Sequence, residues 1–278
     1  MEVSLAKKLK IAWLRFVSRV FPKLAAQTAL DLFLTPQRVP RPSSEMEWFA
    51  SAKKYILGGG IAAYEWGAEK APLVLLIHGW SGRGTQMAAF AEPLVAAGYR
   101  VVALDGPAHG ASLGVQTNVG DYSQFLLDAQ KELGSFAAVI AHSFGAGCSV
   151  LAAAKGLRVE KLILVAGPSH YQKVINHYFK FIQMHTKAEK YFIEMLAEKA
   201  GISPYDMDVG AIGSQLHVKS LIVHDRDDRE VRFTAAEEIQ KLWPQVGILE
   251  TQGLGHRRVL KDAQVIEKVV RFIQSGKI

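Results

Sequence analysis

A succession of short apolar runs sets the limits on what this chain can fold into. Residues 73–77 (Leu-Val-Leu-Leu-Ile) are apolar throughout, the pattern of a central parallel strand buried on both faces. Residues 100–104, 136–141, 161–165, 220–224 and 247–251 read as further strands. Between them lie helix-favouring segments at 85–97, 121–133, 144–155 and 234–242, and an amphipathic helix at 259–273 closes the chain. This alternation predicts an α/β protein with a mostly parallel central sheet flanked by helices, wound by right-handed crossovers. Ahead of it, residues 54–57 and 61–66 flank Gly58-Gly59-Gly60 and read as a β-hairpin.

The 278 residues fit one large α/β domain, which buries roughly three quarters of the unfolded chain's surface. Cys148 is the only cysteine, so no intrachain disulfide can form. A reducing, cytoplasmic setting is expected. Residues 1–60 hold ten Lys/Arg against four Asp/Glu, whereas the remaining 218 hold 23 against 22. The body of the chain therefore lacks the basic stripe that nucleic acid would need. Lys10, Arg15 and Arg19 break up any apolar core of a secretory signal.

Residues 5–24 read as an amphipathic helix with Leu5, Leu9, Ala12, Trp13, Phe16, Val17, Val20 and Leu24 on one face. Lys7, Lys8, Lys10, Arg15, Arg19 and Lys23 lie mostly off it, and Pro22 ends or kinks it. Such a helix either packs on the body of the protein with a solvated basic face or makes weak peripheral contact with an anionic membrane. Packing on the body is the favoured of the two. Residues 34–44, with Pro36, Pro40 and Pro42, read as an extended connector. The division expected is therefore 1–50 as helix and connector, and 51–278 as the α/β domain. Residues 168–216 are too long for a simple crossover and carry Tyr171, Tyr178, Phe179, Tyr191 and Phe192, which suggests an inserted helical cap.

The most informative stretch is Ala141-His142-Ser143-Phe144-Gly145, where an apolar run meets a serine and then a helix-favouring segment. It resembles the nucleophile elbow of the α/β-hydrolases, with alanine in place of the first glycine. Four further segments resemble that family in the same order. His78-Gly79-Trp80 resembles its oxyanion loop, and Asp105-Gly106-Pro107-Ala108-His109-Gly110-Ala111-Ser112 its D-x-P-G-H-G-x-S loop, with Ala108 in place of glycine. His224-Asp225-Arg226-Asp227-Asp228-Arg229-Glu230-Val231 resembles H-G-x-x-D-x-x-V, with Asp225 where the family has glycine. Gly253-Leu254-Gly255-His256 resembles the histidine loop. The resemblance spans roughly residues 54–275.

The resemblance implies Ser143 as nucleophile, His256 as base and Asp228 as the acid that orients it, with Asp227 the runner-up. It implies an oxyanion hole from the backbone N–H groups of Trp80 and Phe144. His142 is read as structural and His109 as a wall residue; Arg83 either meets an acidic substrate group or, the favoured reading, is a solvated loop arginine. No metal or organic cofactor is implied. The expected activity is hydrolysis of a carboxylic ester or thioester through an acyl-enzyme, on a small molecule with an apolar part. Acyl transfer or C–C bond hydrolysis on the same residues is one alternative, and a non-catalytic binding protein another.

Overall fold

The apolar runs become strands of one eight-stranded sheet, ordered β1-β2-β4-β3-β5-β6-β7-β8. The computed structural model describes residues 5–277, with side chains from Ala12 onward. The chain starts with α1 (Leu5–Val20), α2 (Pro22–Phe33) and α3 (Met46–Ser51), followed by β1 (Lys53–Leu57), β2 (Ile61–Trp66) and β3 (Leu73–Ile77). Next come α4 (Ala91–Ala96), β4 (Arg100–Leu104), α5 (Val119–Leu133), β5 (Ala138–His142), α6 (Phe144–Ala154) and β6 (Lys161–Val165). Then follow α7 (Tyr171–Ile182), α8 (Thr186–Ala200), α9 (Val209–Gly213) and β7 (Lys219–Asp225). The chain ends with α10 (Thr234–Leu242), β8 (Gly247–Thr251), α11 (Gly255–Arg258) and α12 (Ala263–Ser275).

Two compact units are present: residues 36–169 with 209–278, and residues 1–35 with 170–208. In the first unit, β3 is buried at every position and pairs in parallel with both β4 and β5. The expected hairpin is β1–β2, antiparallel, and β2 joins β4 antiparallel, so the sheet is mixed at that edge. Because the chain passes from β4 across β3 to β5, the strand order reverses at β3. In such sheets the crevice for ligands opens at the carboxyl ends of the strands beside that reversal.

Two helices differ from expectation, each for a local reason. The segment read as one helix over 85–97 is a 3-10 stretch, Gly84–Phe90, followed by α4. Pro93 then falls in the first turn of α4, where its missing N–H has no partner to lose. The last helix begins at Ala263 and not at Val259, because the Asp262 side chain accepts the N–H of Val265 at 3.0 Å and caps it.

The second unit combines α1 and α2 with α7 and α8. The small buried residues Ala25, Ala26 and Ala29 let α2 lie close to α8, whose Ala188, Phe192 and Leu196 are buried. Phe192 also meets Phe33 and Phe179 edge-on, at ring separations of 5.5 and 4.9 Å. The break at Pro22 is as expected, with Phe21 out of helical geometry and Pro22 opening α2. The packed face of α1 is not as expected. Leu14, Val17 and Ser18 are buried, while Trp13, Phe16, Val20 and Leu24 face solvent. The side chains of Leu5, Lys7, Lys8, Leu9 and Lys10 lie outside the described residues.

Candidate active site

Ser143 stands between β5 and α6 with φ 52° and ψ −119°, a conformation that L residues rarely adopt. Its neighbours hold it there. Its N–H donates to Val165 O of β6 at 2.8 Å. A Cβ on Gly145 would come within 2.5 Å of His78 O, and one on Gly167 within 2.8 Å of Ala146 Cβ. The glycine after the phenylalanine is thus required by a close crossing of α6 over the end of β3. On the other side, a Cβ on Gly79 would come within 2.9 Å of Ser143 Cβ. The backbone of the His78-Gly79-Trp80 loop therefore rests directly against the serine.

His256 and Asp228 complete a line of hydrogen bonds. His256 Nε2 lies 3.1 Å from Ser143 Oγ, and His256 Nδ1 lies 2.7 Å from Asp228 Oδ2. Asp228 Oδ1 accepts the N–H groups of Glu230 and Val231 at 2.8 and 2.9 Å. Burial acts to raise its pKa, but hydrogen bonds from His224, His256 and the Val231 N–H outweigh it. The carboxyl is held well below the usual carboxylate range. Of the two aspartates weighed, Asp228 reaches the imidazole, whereas Asp227 accepts the N–H of Gly253 at 2.9 Å.

The histidine turn is tied down from two directions. Asp225 is fully buried, and its carboxylate accepts the N–H groups of Leu254, Gly255 and Asp227 and the hydroxyl of Thr251. Burial opposes its ionisation, but these donors win and its pKa is lowered. Below the turn, His142 Nε2–H donates to His256 O at 2.9 Å, and the two rings lie 4.6 Å apart. Burial, followed by the charge of His256, pushes the His142 pKa down to about 3.

The loop against Ser143 rests on neutral histidines. His78 Nε2 accepts the N–H of Gly106 at 2.9 Å and its Nδ1–H donates to Gly79 O at 2.6 Å. His109 Nε2 accepts the N–H of Ser81 at 3.0 Å and its Nδ1–H donates to Pro107 O at 2.8 Å. Each Nε2 needs its lone pair for a backbone donor, and burial pushes the two pKa values down to about 4 and about 3. Trp80 and Phe144 meet edge-on at 5.1 Å, both half-buried, and form an apolar wall beside the serine.

Arg83 corrects the sequence reading. It is buried, and its guanidinium donates to both carboxylate oxygens of Glu45 at 2.7 and 3.0 Å and to Val39 O at 2.8 Å. Burial acts to raise the pKa of Glu45, but the bonds from Arg83 and Thr85 lower it. Residues 36–45 are consequently a strap and not a plain connector. Gln37 N–H donates to Ser81 Oγ, and Arg38 caps the carbonyls of Gly110, Ser112 and Gly114. Sequence reasoning missed this because a lone glutamate before a short helix carries no signal of a partner 38 residues away.

An α/β hydrolase family model matches residues 74–187. No curated protein is recognisably similar in sequence. Among solved structures, a thioesterase domain from the curacin biosynthetic pathway is 20% identical, with a TM-score of 0.59 over 81% of this chain and 99% of that one. An esterase from Exiguobacterium antarcticum is 16% identical, with a TM-score of 0.60 over 81% and 100%. A bacterial membrane phospholipase A, described as a virulence factor, is 18% identical, with a TM-score of 0.62 over 96% and 98%. The stretch that matches the α/β hydrolase family model includes β3, β4, β5 and β6, and the mixed eight-stranded sheet has the fold of these solved structures.

Proposed function

We propose that this chain is a serine hydrolase that cleaves a carboxylic ester or thioester through an acyl-enzyme. The observation that carries the reading is the unbroken line Ser143 Oγ–His256 Nε2, His256 Nδ1–Asp228 Oδ2, at 3.1 and 2.7 Å. A serine hydroxyl is a weak nucleophile until a base takes its proton. In this proposal His256 Nε2 takes it as Oγ attacks the acyl carbonyl. The ionised Asp228 holds the ring with Nδ1–H facing it and stabilises the imidazolium. The N–H groups of Trp80 and Phe144 receive the developing oxyanion, supported by the positive end of α6. His256 then gives the proton to the leaving oxygen or sulfur. Water, deprotonated by the same nitrogen, attacks the acyl-serine and releases the acid.

The Trp80–Phe144 wall favours a substrate with an apolar part next to the scissile bond. An open groove of about 740 Å³ borders His256, lined by Asp227, Arg229, Glu230 and residues 253–258. The solved structures of similar fold include a thioesterase domain and an esterase, so both leaving atoms occur on this fold.

Labelling with a fluorophosphonate probe tests the reading. Wild type is expected to label and Ser143→Ala is not. Equal labelling of both would remove Ser143 from the mechanism. Chromogenic esters and thioesters of increasing chain length then define the acyl group.

A further inference from the structure

The outer face of α1 carries side chains that the protein's own packing does not use. Leu14 and Val17 are buried within the helical unit, and Ser18 Oγ accepts the N–H of His185 at 3.1 Å. Beside that face, Trp13, Phe16 and Val20 recur at three- and four-residue spacing and turn to solvent, with Phe16 67% and Val20 53% exposed. Phe21 and Leu24, at the break into α2, are 60% and 54% exposed. The helical hydrogen bonds continue through the break, from Phe21 N to Val17 O and from Ala25 N to Phe21 O. Five large apolar side chains within twelve residues therefore stand in water along one stretch of helix.

Cations flank them. Arg15, Arg19 and Lys23 are exposed. Residues 1–35 contain six Lys/Arg against Glu2 and Asp31 alone. A contiguous apolar patch on a soluble surface marks an interaction site. An aromatic and aliphatic stripe bordered by arginines matches a lipid interface in particular. Tryptophan and phenylalanine sit at the headgroup level, while the guanidinium groups reach lipid phosphates. A second copy of the chain fits less well, because docking like on like would bring Arg15 and Arg19 of both copies together. No described helix is long and apolar enough to cross a membrane, so the contact would be made along the surface.

We infer that the surface formed by Trp13, Phe16, Val20, Phe21 and Leu24, with Arg15, Arg19 and Lys23 at its border, docks the protein on an anionic lipid bilayer. The inference does not depend on the catalytic reading, since none of these residues belongs to the proposed site.

The test is co-sedimentation of the full chain with phosphatidylcholine vesicles, with and without phosphatidylglycerol, at low and high salt. Wild type binds the anionic vesicles, and binding weakens with salt. Phe16→Glu/Val20→Glu weakens binding at least about tenfold, since two charges must enter the interface. Arg15→Gln/Arg19→Gln weakens it roughly fivefold per arginine and flattens the salt dependence. Far-UV circular dichroism and thermal melting confirm that both variants fold. Four results would each overturn the inference. These are no binding by wild type, equal binding to neutral vesicles, unchanged binding by the glutamate variant, and a wild-type dimer that the glutamate variant converts to monomer. The last would assign the stripe to a second copy.

Discussion

The carboxylate of Asp225 accepts the backbone N–H of Gly255 at 2.8 Å, which ties the exit of β7 to the turn that presents His256. The same carboxylate holds Leu254 N–H at 3.0 Å and the Thr251 hydroxyl at 2.7 Å. Asp225 is the position where this chain departs from the glycine of the resembling motif, and the departure is what pins the histidine. Asp225→Ala leaves three part-buried backbone donors, the N–H groups of Asp227, Leu254 and Gly255, without their carboxylate, so a loss of about 1–3 kcal/mol is expected. The fluorophosphonate labelling rate should fall more than about tenfold as the turn loosens. Asp225→Gly should fare no better. Urea unfolding and labelling time courses check both; wild-type behaviour in Asp225→Gly would show that the turn does not need the carboxylate.

Asp228→Asn should lower the labelling or hydrolysis rate by about 10³–10⁴-fold while leaving the fold intact, because an amide cannot hold the imidazole with Nδ1–H facing it. Asp227→Asn should change the rate less than about threefold, since its carboxylate accepts the Gly253 N–H and does not reach the imidazole. Steady-state kinetics on one chromogenic ester separates the two, and a reversed order would exchange their roles.

Glu45 and Arg83 form a buried, bidentate pair between the strap and the loop beside Ser143. Removing one partner strands the other's charge, so Glu45→Gln and Arg83→Met should each destabilise by about 3–5 kcal/mol. The double variant Glu45→Leu/Arg83→Met should lose clearly less than the sum. Additive losses in a double-mutant cycle would mean that the two side chains act separately.

Acid should weaken the fold before it titrates the carboxylates. Burial holds His78, His109 and His142 at about 4, 3 and 3. In the unfolded chain these groups take up protons near pH 6.5. Below that pH the unfolded state binds protons that the folded state refuses. The stability is therefore fully present above about 6.5 and is lost as pH falls towards the folded values. Each group can remove up to about 1.4 kcal/mol per pH unit in this window. Urea midpoints measured from pH 7 to 5 should fall steadily, and His109→Gln should show a shallower fall. A flat wild-type profile would contradict the neutral-histidine support of the loop.

Ala108 has φ 64° in the loop that carries His109. An alanine in the left-handed region costs roughly 1–2 kcal/mol. Ala108→Gly relieves that strain and gives part of it back in unfolded-chain entropy. A net stabilisation of up to about 1 kcal/mol is expected, seen as a higher melting temperature with unchanged labelling.

Much of the molecule was legible in the chain itself, for local reasons. The runs at 73–77, 100–104, 161–165 and 247–251 match β3, β4, β6 and β8 residue for residue. β3, β4 and β6 are buried on both faces and announce themselves by composition alone, whereas β8 is a half-exposed edge strand. Ser143, Asp228 and His256 could be picked out because each sits in a turn whose neighbours the backbone constrains. Which face of α1 would be buried could not be read the same way. Leu14 and Trp13 are adjacent and both apolar, and the packing of α1 against α2, and against α7 and α8 more than 150 residues later, makes one inside and the other outside.

Taken alone, the sequence determined the sheet, the order of the motifs and the candidates for chemistry, because these follow from periodicity and from turns a few residues long. The tertiary structure alone decided that Asp225 and His142 hold His256 in place. It also decided that Arg83 is spent on Glu45. Each of these is a contact between side chains or turns whose spacing along the chain leaves no periodic trace. What decides it is which polar groups are left to satisfy one another once the apolar runs have excluded water.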